Sequence, residues 1–322
     1  MVFLYGPSRY AKRALGAGAA LALAFLLCAG GRVKAMEPRM LVPVGHTVGI
    51  KLFSRGVVVV KLTDGGTPAR ECGLRTGDVI VKCGGNASNL QIDQAGDRMT
   101  LSVEPSQNDQ GVYCIGAWVR DSMAGIGTMT WYDSATGVFG ALGHGVTDTD
   151  TALLMPFSNS SILPSTVKAV KRGEAGSAGE LRGDFDLTGD LGPLYANTKS
   201  GIFGKLDRAP QAGEAVPTGT ALPGPAAILA NVRGGEVREY ESEILKAASS
   251  SADGRDLVLS VTDPALLEAT GGIVQGMSGS PILQNGRLVG AVTHVLLNDP
   301  TKGYGILIEN MLEAAEAGQG VR

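Results

Sequence analysis

Residues 276–281 read Gly-Met-Ser-Gly-Ser-Pro, a combination that suits acyl transfer. A serine hydroxyl is a useful nucleophile only when a base takes its proton, and the oxyanion that forms must meet preorganised backbone N–H donors. Gly276 and Gly279 let the chain curl so that the amides of Gly276 and Ser278 point into one pocket, and Pro281 fixes the exit. The motif predicts Ser278 as a nucleophile, and the alternative is a structural glycine-serine turn between strands.

Three histidines are available as the base. His144 lies between two glycines, in Leu-Gly-His-Gly-Val, which predicts an imidazole presented at the end of a strand with little steric shielding. His294 lies inside the apolar segment 291–297, where a hydrogen-bonded strand histidine is the favoured interpretation, and His46 precedes the first predicted domain. His144 is therefore the predicted general base.

The acid that would orient the imidazole is not determined by spacing. Nine aspartates lie between the histidine and the serine, and their positions alone do not choose among them: Asp148, Asp150, Asp184, Asp186, Asp190, Asp207, Asp253, Asp256 and Asp263.

The length and charge of the chain limit the classes of protein in which these residues could act. The 322 residues are enough for an export segment and two compact domains. The formal charge of -3 provides no general attraction to a phosphate backbone, so nucleic acid is excluded as a predicted partner. The four cysteines show no metal-ligand spacing, and neither a metal nor an organic cofactor is predicted. A bridge between Cys72 and Cys83 is geometrically conceivable and stays open.

The N-terminal region, residues 1–36, predicts a signal peptide or membrane anchor. The segment from Ala14 to Gly31 has no charged residue and follows a basic stretch that ends at Arg13. Its 18 residues are long for a signal core and short for a bilayer span, so cleavage and retention both stay open. We expect the remainder of the chain to be exported and tethered.

Residues 44–104 resemble bacterial PDZ domains. Two short β-branched strands are predicted within 47–60, separated at 54–56, and a short helix closed by Gly73 precedes a Gly-Asp turn and the strand 79–82. PDZ domains add an extended peptide to a sheet edge and bind its terminal carboxylate with backbone amides. The resemblance places that loop at Val48, Gly49 and Ile50, and the alternative is a hairpin that only packs the sheet.

Residues 107–322 are predicted to form a mainly β domain. Strands at 125–132 and 137–142 flank a glycine-containing turn, further β-rich segments cover 256–261 and 287–297, and helices are predicted at 264–270 and 309–317. Residues 171–256 have few long apolar runs. Strands without regular intervening helices indicate a β-barrel or sandwich rather than a parallel sheet.

Two levels of resemblance then select among these alternatives. The form Gly-x-Ser-Gly-x-Pro resembles the nucleophile loop of chymotrypsin-like serine peptidases, and the match selects Ser278 over Ser280. The N-terminal segment, the PDZ-like region and three motifs together resemble the stage IV sporulation protein B peptidase family. Those motifs are Ala-Leu-Gly-His-Gly at 141–145, the segment 270–281 around the serine, and Gly-Ala-Val-Thr-His-Val at 290–295.

The family resemblance implies a PDZ domain followed by a chymotrypsin-like β-barrel. It implies that Ser278 is the nucleophile and His144 the base, and that Asp263, fifteen positions before the serine, is the required acid. It further implies a serine endopeptidase exported to the space between the two forespore membranes. By the same resemblance, the peptidase is expected to cleave itself there and to cut a membrane-bound regulator of an intramembrane protease. A non-catalytic PDZ adaptor and an envelope structural protein are the competing hypotheses.

Overall fold

The computed structural model describes residues 37–85, 88–248 and 254–320 as antiparallel strands with a few short helices. The predicted export segment lies outside the described residues. Within the described part, no helix is both long and apolar enough to cross a bilayer. The chain from Pro38 onward forms one compact unit.

The strands, numbered in chain order, are β1 Met40–Pro43, β2 Thr47–Leu62, β3 Val79–Cys83, β4 Asn89–Gln94, β5 Asp97–Ser102, β6 Ser106–Gln107, β7 Tyr113–Cys114, β8 Ala117–Tyr132, β9 Val138–Ala141, β10 Asn159–Lys171, β11 Glu180–Phe185, β12 Gly192–Thr198, β13 Gly201–Lys205, β14 Val216–Pro217, β15 Gly224–Arg233, β16 Glu236–Ala247, β17 Leu257–Val261, β18 Pro281–Gln284, β19 Arg287–Val295 and β20 Lys302–Leu307. The helices are α1 Pro68–Glu71, α2 Pro264–Thr270 and α3 Ile308–Gln319.

The first barrel is a closed ring of six antiparallel strands in the order β2, β8, β9, β13, β12 and β10. Alternating side chains of these strands point inward and form one apolar core, which includes Leu52, Met129, Phe139 and Ile162. The hairpin predicted at 125–142 is the β8–β9 pair of this ring.

The second barrel is also closed and antiparallel, in the order β15, β16, β17, β20, β19 and β18. Its core includes Ile228, Ile244, Leu259 and Ile282. Helix α3 packs against strands of both barrels, so its buried face, with Met311 at its centre, ties the two together. Two closed antiparallel barrels confirm the predicted mainly β, chymotrypsin-like fold class.

A small module with its own core projects from the first barrel. The second half of β2 and the first half of β8 enter it, together with α1, β3, β4 and β5, around Val59, Leu74, Leu90 and Ile92. The helix before Gly73 and the strand after the Gly-Asp turn lie where the sequence predicts them. Cys72 and Cys83 are free thiols in this module.

The two strands predicted within 47–60 are one continuous strand, β2. The predicted separation at 54–56 is a register irregularity between Phe53 and Val58, where β2 leaves the barrel and enters the module. The path of β2 at this point requires glycine at position 56, because the Cβ of any other residue would lie 2.1 Å from the carbonyl oxygen of Ile80. A bulge bends a strand without ending it, which a sequence pattern does not distinguish from a turn.

The segment 171–256 contains β11 to β16, although few apolar runs mark it. In β16 the buried residues Tyr240, Ser242 and Ile244 alternate with exposed charged residues. Such strands have one face toward the core and one toward solvent, so their apolar content is only half that of a buried run.

Candidate active site

His144 is held by the turn that follows β9. Leu142 and Gly143 both have a φ of 69°, which turns the chain sharply out of the strand. A Cβ on Gly143 would lie 2.9 Å from side-chain atoms of Thr293 and Ile306, and one on Gly145 would lie 2.5 Å from the carbonyl oxygen of Thr198. The two glycines therefore let neighbouring strands approach closely, which leaves the imidazole half-buried rather than freely presented.

The imidazole has a defined tautomer. Its Nδ1 atom lies 2.9 Å from the carbonyl oxygen of Gly145. Because a carbonyl only accepts, Nδ1 carries the proton and Nε2 is left as an acceptor, as a general base requires. Burial lowers the pKa of His144 below its ordinary value, and the bond to Gly145 opposes this by a smaller amount. The neutral form is thus the one favoured near pH 7.

Ser278 lies in the turn that connects α2 to β18. Its hydroxyl donates to the carbonyl oxygen of Thr293 at 2.7 Å, and its own carbonyl accepts from the amide of Thr128 at 2.8 Å. The side chain of Ser278 is half-buried, whereas Ser280 is fully buried. Of the two serines, Ser278 is the one that a substrate can reach.

The turn before Ser278 orients two backbone amides. The carbonyl of Gln275 accepts from Leu181 N at 2.8 Å, and the carbonyl of Met277 accepts from Ser280 N at 2.9 Å. In a trans peptide group, the C=O and the following N–H point in opposite directions. The N–H groups of Gly276 and Ser278 therefore point away from those partners, and neither donates to an acceptor within the described ranges.

One cavity of about 280 Å³ brings these groups together. Ser278, Gly276 and His144 line it, although the first barrel positions the histidine and the second barrel positions the serine. The rest of its lining is mostly apolar and comes from β8 and neighbouring segments, with Met123, Ile126, Leu142 and Val146 among the contributors. A hydroxyl, an imidazole with an accepting nitrogen and two free amides in one cleft are the groups that acyl transfer needs.

A family model described as SpoIVB peptidase S55 matches residues 111–312, a range that includes His144, Gly276 and Ser278. The chain belongs to the SpoIVB peptidase S55 family. It is accordingly a serine endopeptidase, and the predicted resemblance is confirmed.

Solved structures of proteases also match the peptidase. The Rv3671c protease from M. tuberculosis in its active form is 11% identical, with 85% of this chain and 82% of that chain covered, at a TM-score of 0.37. An HtrA-type protease, AlgW with a decapeptide, is 10% identical, with 87% and 66% covered, at a TM-score of 0.38. Both scores are below 0.5, so neither likeness contributes to the assignment. No curated protein matches the chain.

A second histidine lies beside the site: His294 is on strand β19, in keeping with the strand histidine that the sequence favours. The ring of His294 lies 5.1 Å from that of His144, centroid to centroid, at an interplanar angle of 37°. His294 directly follows Thr293, the acceptor of the Ser278 hydroxyl. The sequence signal for this proximity is its spacing of sixteen residues from Ser278. His46 lies elsewhere, near Gln211.

The carboxylate of Asp263 makes its hydrogen bonds to helix α2 and strand β16. Asp263 is the N-cap of α2, where Oδ1 accepts from the amides of Ala265 at 2.8 Å and Leu266 at 3.0 Å, and Oδ2 accepts from Glu241 N at 3.3 Å. Nδ1 of His144 bonds to the carbonyl oxygen of Gly145. That Asp263 orients His144 during catalysis stays a prediction.

The cap role predicts how substitutions of Asp263 behave. Asparagine caps a helix about as well as aspartate, whereas alanine loses about 1 kcal/mol of stability. From the cap role alone, we therefore expect Asp263→Asn to keep both melting temperature and turnover, and Asp263→Ala to melt lower but cleave normally in the cold. Melting curves and single-turnover rates measure this. A stable Asp263→Asn chain with turnover reduced by orders of magnitude would instead support the orienting role of Asp263.

Among the other aspartates considered, Asp148 lies nearest in sequence to His144. It is fully buried, and its Oδ2 pairs with Arg120 at 2.6 Å while Oδ1 accepts from the amides of Asp150 and Thr151. These bonds hold the loop that follows His144. Asp253 lies outside the described residues.

The predicted PDZ loop is also corrected. Val48, Gly49 and Ile50 lie within β2 and pair with β8 on one side and β10 on the other. With both edges occupied, their amides cannot receive a peptide carboxylate. Val48 and Ile50 belong to the core of the first barrel.

Proposed function

We propose that Ser278 is the nucleophile of this peptidase, His144 its general base, and the amides of Gly276 and Ser278 its oxyanion hole. The observation that carries the proposal is the single cavity that joins these groups from two separate barrels. The tautomer of His144 and the two free amides support the same assignment.

The proposed cycle begins when the Ser278 hydroxyl turns from Thr293 toward Nε2 of His144. As Oγ attacks the substrate carbonyl, its proton passes to Nε2, and the oxyanion is stabilised by the two amides. The imidazolium then gives the proton to the leaving amine, and the peptide bond breaks. Water then enters, loses a proton to Nε2 of His144 and attacks the acyl carbonyl. As the ester bond to Oγ breaks, His144 returns this proton to Oγ, which releases the acid and restores both Ser278 and neutral His144.

A fluorophosphonate probe tests this assignment. We expect the probe to label Ser278, as mapped by peptide mass spectrometry, at a rate that depends on neutral His144. Because burial lowers the pKa of His144, labelling should decline only when the pH falls clearly below the ordinary histidine value of about 6.5. Labelling at another serine would refute the proposal.

The lowered pKa of His144 also affects stability. Between this pKa and about 6.5, the folded chain binds fewer protons than the unfolded chain, so the free energy of unfolding declines as the pH falls through this range.

We also propose that the peptidase is exported and tethered, cleaves its own N-terminal region, and cuts a membrane-bound regulator during sporulation. Family membership and the uncharged segment 14–31 support this proposal. Expression of wild-type and Ser278→Ala chains in a host without related proteases tests self-cleavage. Identical N-termini in the two chains, determined by mass spectrometry, would remove self-cleavage from the proposal.

The small module is proposed to bind an extended peptide of the substrate or of a partner. Its resemblance to PDZ domains supports this, as does its position at a cavity of about 980 Å³, where Gly77 and Gln94 of the module and His144 of the barrel all contribute to the lining. Fluorescence anisotropy of labelled peptides on the inactive Ser278→Ala chain measures such binding. If binding were unchanged when Gln94 is replaced by alanine and Arg75 by glutamate, the module would have only a structural role.

A further inference from the structure

Thr128 lies on β8 at the point where the first barrel meets the nucleophile turn. Its side chain is only 1% exposed, although threonine has a polar hydroxyl. A buried hydroxyl is costly unless it is hydrogen-bonded. The Thr128 hydroxyl donates to the carbonyl oxygen of Gly276 at 2.8 Å, in a buried bond between residues 148 positions apart.

Four consecutive carbonyls of the nucleophile turn each accept one hydrogen bond. Leu181 N holds the carbonyl of Gln275, and Ser280 N holds that of Met277. The remaining two belong to Gly276 and Ser278, and Thr128 holds both: its hydroxyl bonds the first, and its amide bonds the second at 2.8 Å. The Thr128 hydroxyl is the one side-chain donor among these four.

The carbonyl of Gly276 belongs to the peptide group that connects the two oxyanion donors. Gly276 has a φ of 99°, a region that glycine enters without the steric cost paid by other residues, so its own conformation restrains this peptide group weakly. The N–H of this peptide group, which is that of Met277, donates to the carbonyl oxygen of Val274 at 3.1 Å within the same segment. The bond from Thr128 is the one that ties the peptide group to a strand of the first barrel. Thr128 is suited to supply it, because its backbone is held on the other side by the pairing of β8 with β2.

Thr128 also contacts the turn that carries the base. Its carbonyl accepts from Leu142 N at 3.1 Å, two residues before His144. One residue thus holds the turn of the nucleophile and the turn of the base through three hydrogen bonds.

We propose that Thr128 is a positioning residue, whose hydroxyl fixes the peptide group between the two oxyanion donors in the conformation that stabilises the transition state. This rests on the proposed roles of Ser278, Gly276 and His144. Because the effect acts on the oxyanion, it concerns turnover and not the ground-state affinity for substrate.

The experiment compares Thr128→Val with Thr130→Val and Thr128→Ser in the full chain. Valine keeps the shape of threonine and removes the hydroxyl. Thr130 is a matched control, because it lies two positions along the same strand, is fully buried, and its hydroxyl has no hydrogen-bond partner within the described residues. Serine at position 128 keeps the hydroxyl and loses only a methyl group.

We expect Thr128→Val to lower kcat about 10- to 100-fold, since small misplacements of catalytic groups have effects of this size, while KM changes less than about threefold. The rate of fluorophosphonate labelling should decrease in parallel, because the phosphonyl oxygen of the probe would accept hydrogen bonds from the same two amides. Thr128→Ser should restore most of the activity, and Thr130→Val should match the wild type.

Equal kinetics for Thr128→Val and Thr130→Val would overturn the proposal. If Thr128→Val does not fold, Thr128→Ala replaces it. If neither folds while Thr130→Val does, the hydroxyl serves folding and the positioning role is likewise overturned. Failure of the underlying assignment looks different: the Ser278→Ala chain would stay active, whatever the Thr128 variants do.

Discussion

Replacement of Ser278 by alanine is expected to abolish peptide hydrolysis and fluorophosphonate labelling while the fold is retained. Loss of a catalytic serine alone can lower kcat by about 10⁶. The folded state loses one hydrogen bond, from the hydroxyl to Thr293, which is worth about 1 kcal/mol. A peptidase assay, labelling and a melting curve measure the three effects.

Ser280→Ala is the matched control. Ser280 lies in the same turn but is fully buried, and its hydroxyl has no hydrogen-bond partner in the described part of the chain. Its removal should leave hydrolysis within a few-fold of wild type. If Ser280→Ala were inactive and Ser278→Ala active, the nucleophile would be two residues from its assigned position.

Gly279→Ala is expected to cause the largest loss of stability in the nucleophile turn. A Cβ at this position would lie 2.0 Å from the carbonyl oxygen of Thr128 and 2.6 Å from the amide of Leu142, both backbone atoms of the first barrel. Overpacking typically costs about 1–3 kcal/mol, and a φ of 97° adds about 1–2 kcal/mol for any other residue. Chemical denaturation measures the combined loss in the free energy of unfolding. We expect the variant to lose activity as well.

Gly286→Ala separates the two contributions. Gly286 has a φ of 70°, but nothing lies within 4 Å of the Cβ that would be added. Only the backbone cost should therefore appear, about 1–2 kcal/mol, with activity retained. Equal losses for Gly279→Ala and Gly286→Ala would mean that the barrels do not meet as tightly at Gly279 as the structure indicates.

Ser278 and His144 could be predicted as site residues from the sequence because their signals are local. The glycines around Ser278 and His144 mark tight backbone approaches, and helix α2 follows an Asp-Pro pair that is typical of a helix start. Asp263, the first residue of that pair, is the N-cap of the helix in the structure. Tyr240 and its neighbours on β16 show the opposite case, since alternating charged residues concealed a strand of the second barrel.

The partners of His144 and Thr128 depend on distant contacts. His294 lies beside His144 although 150 positions separate them in the chain, and Thr128 reaches Gly276 across 148 positions. No periodicity encodes such a distance. The orienting group of His144 is a backbone carbonyl, which every residue has, so no residue type could mark it.

The strands β2 and β8 run side by side from the core of the first barrel into the core of the small module. Domains that move as independent bodies are joined by exposed linkers that few contacts cross. Here two paired strands make the connection, and their register shifts between Phe53 and Val58, where the module begins. A swing of the module would therefore bend both strands at this bulge, and a force on a bound peptide would reach the first barrel through these two strands, one of which carries Thr128.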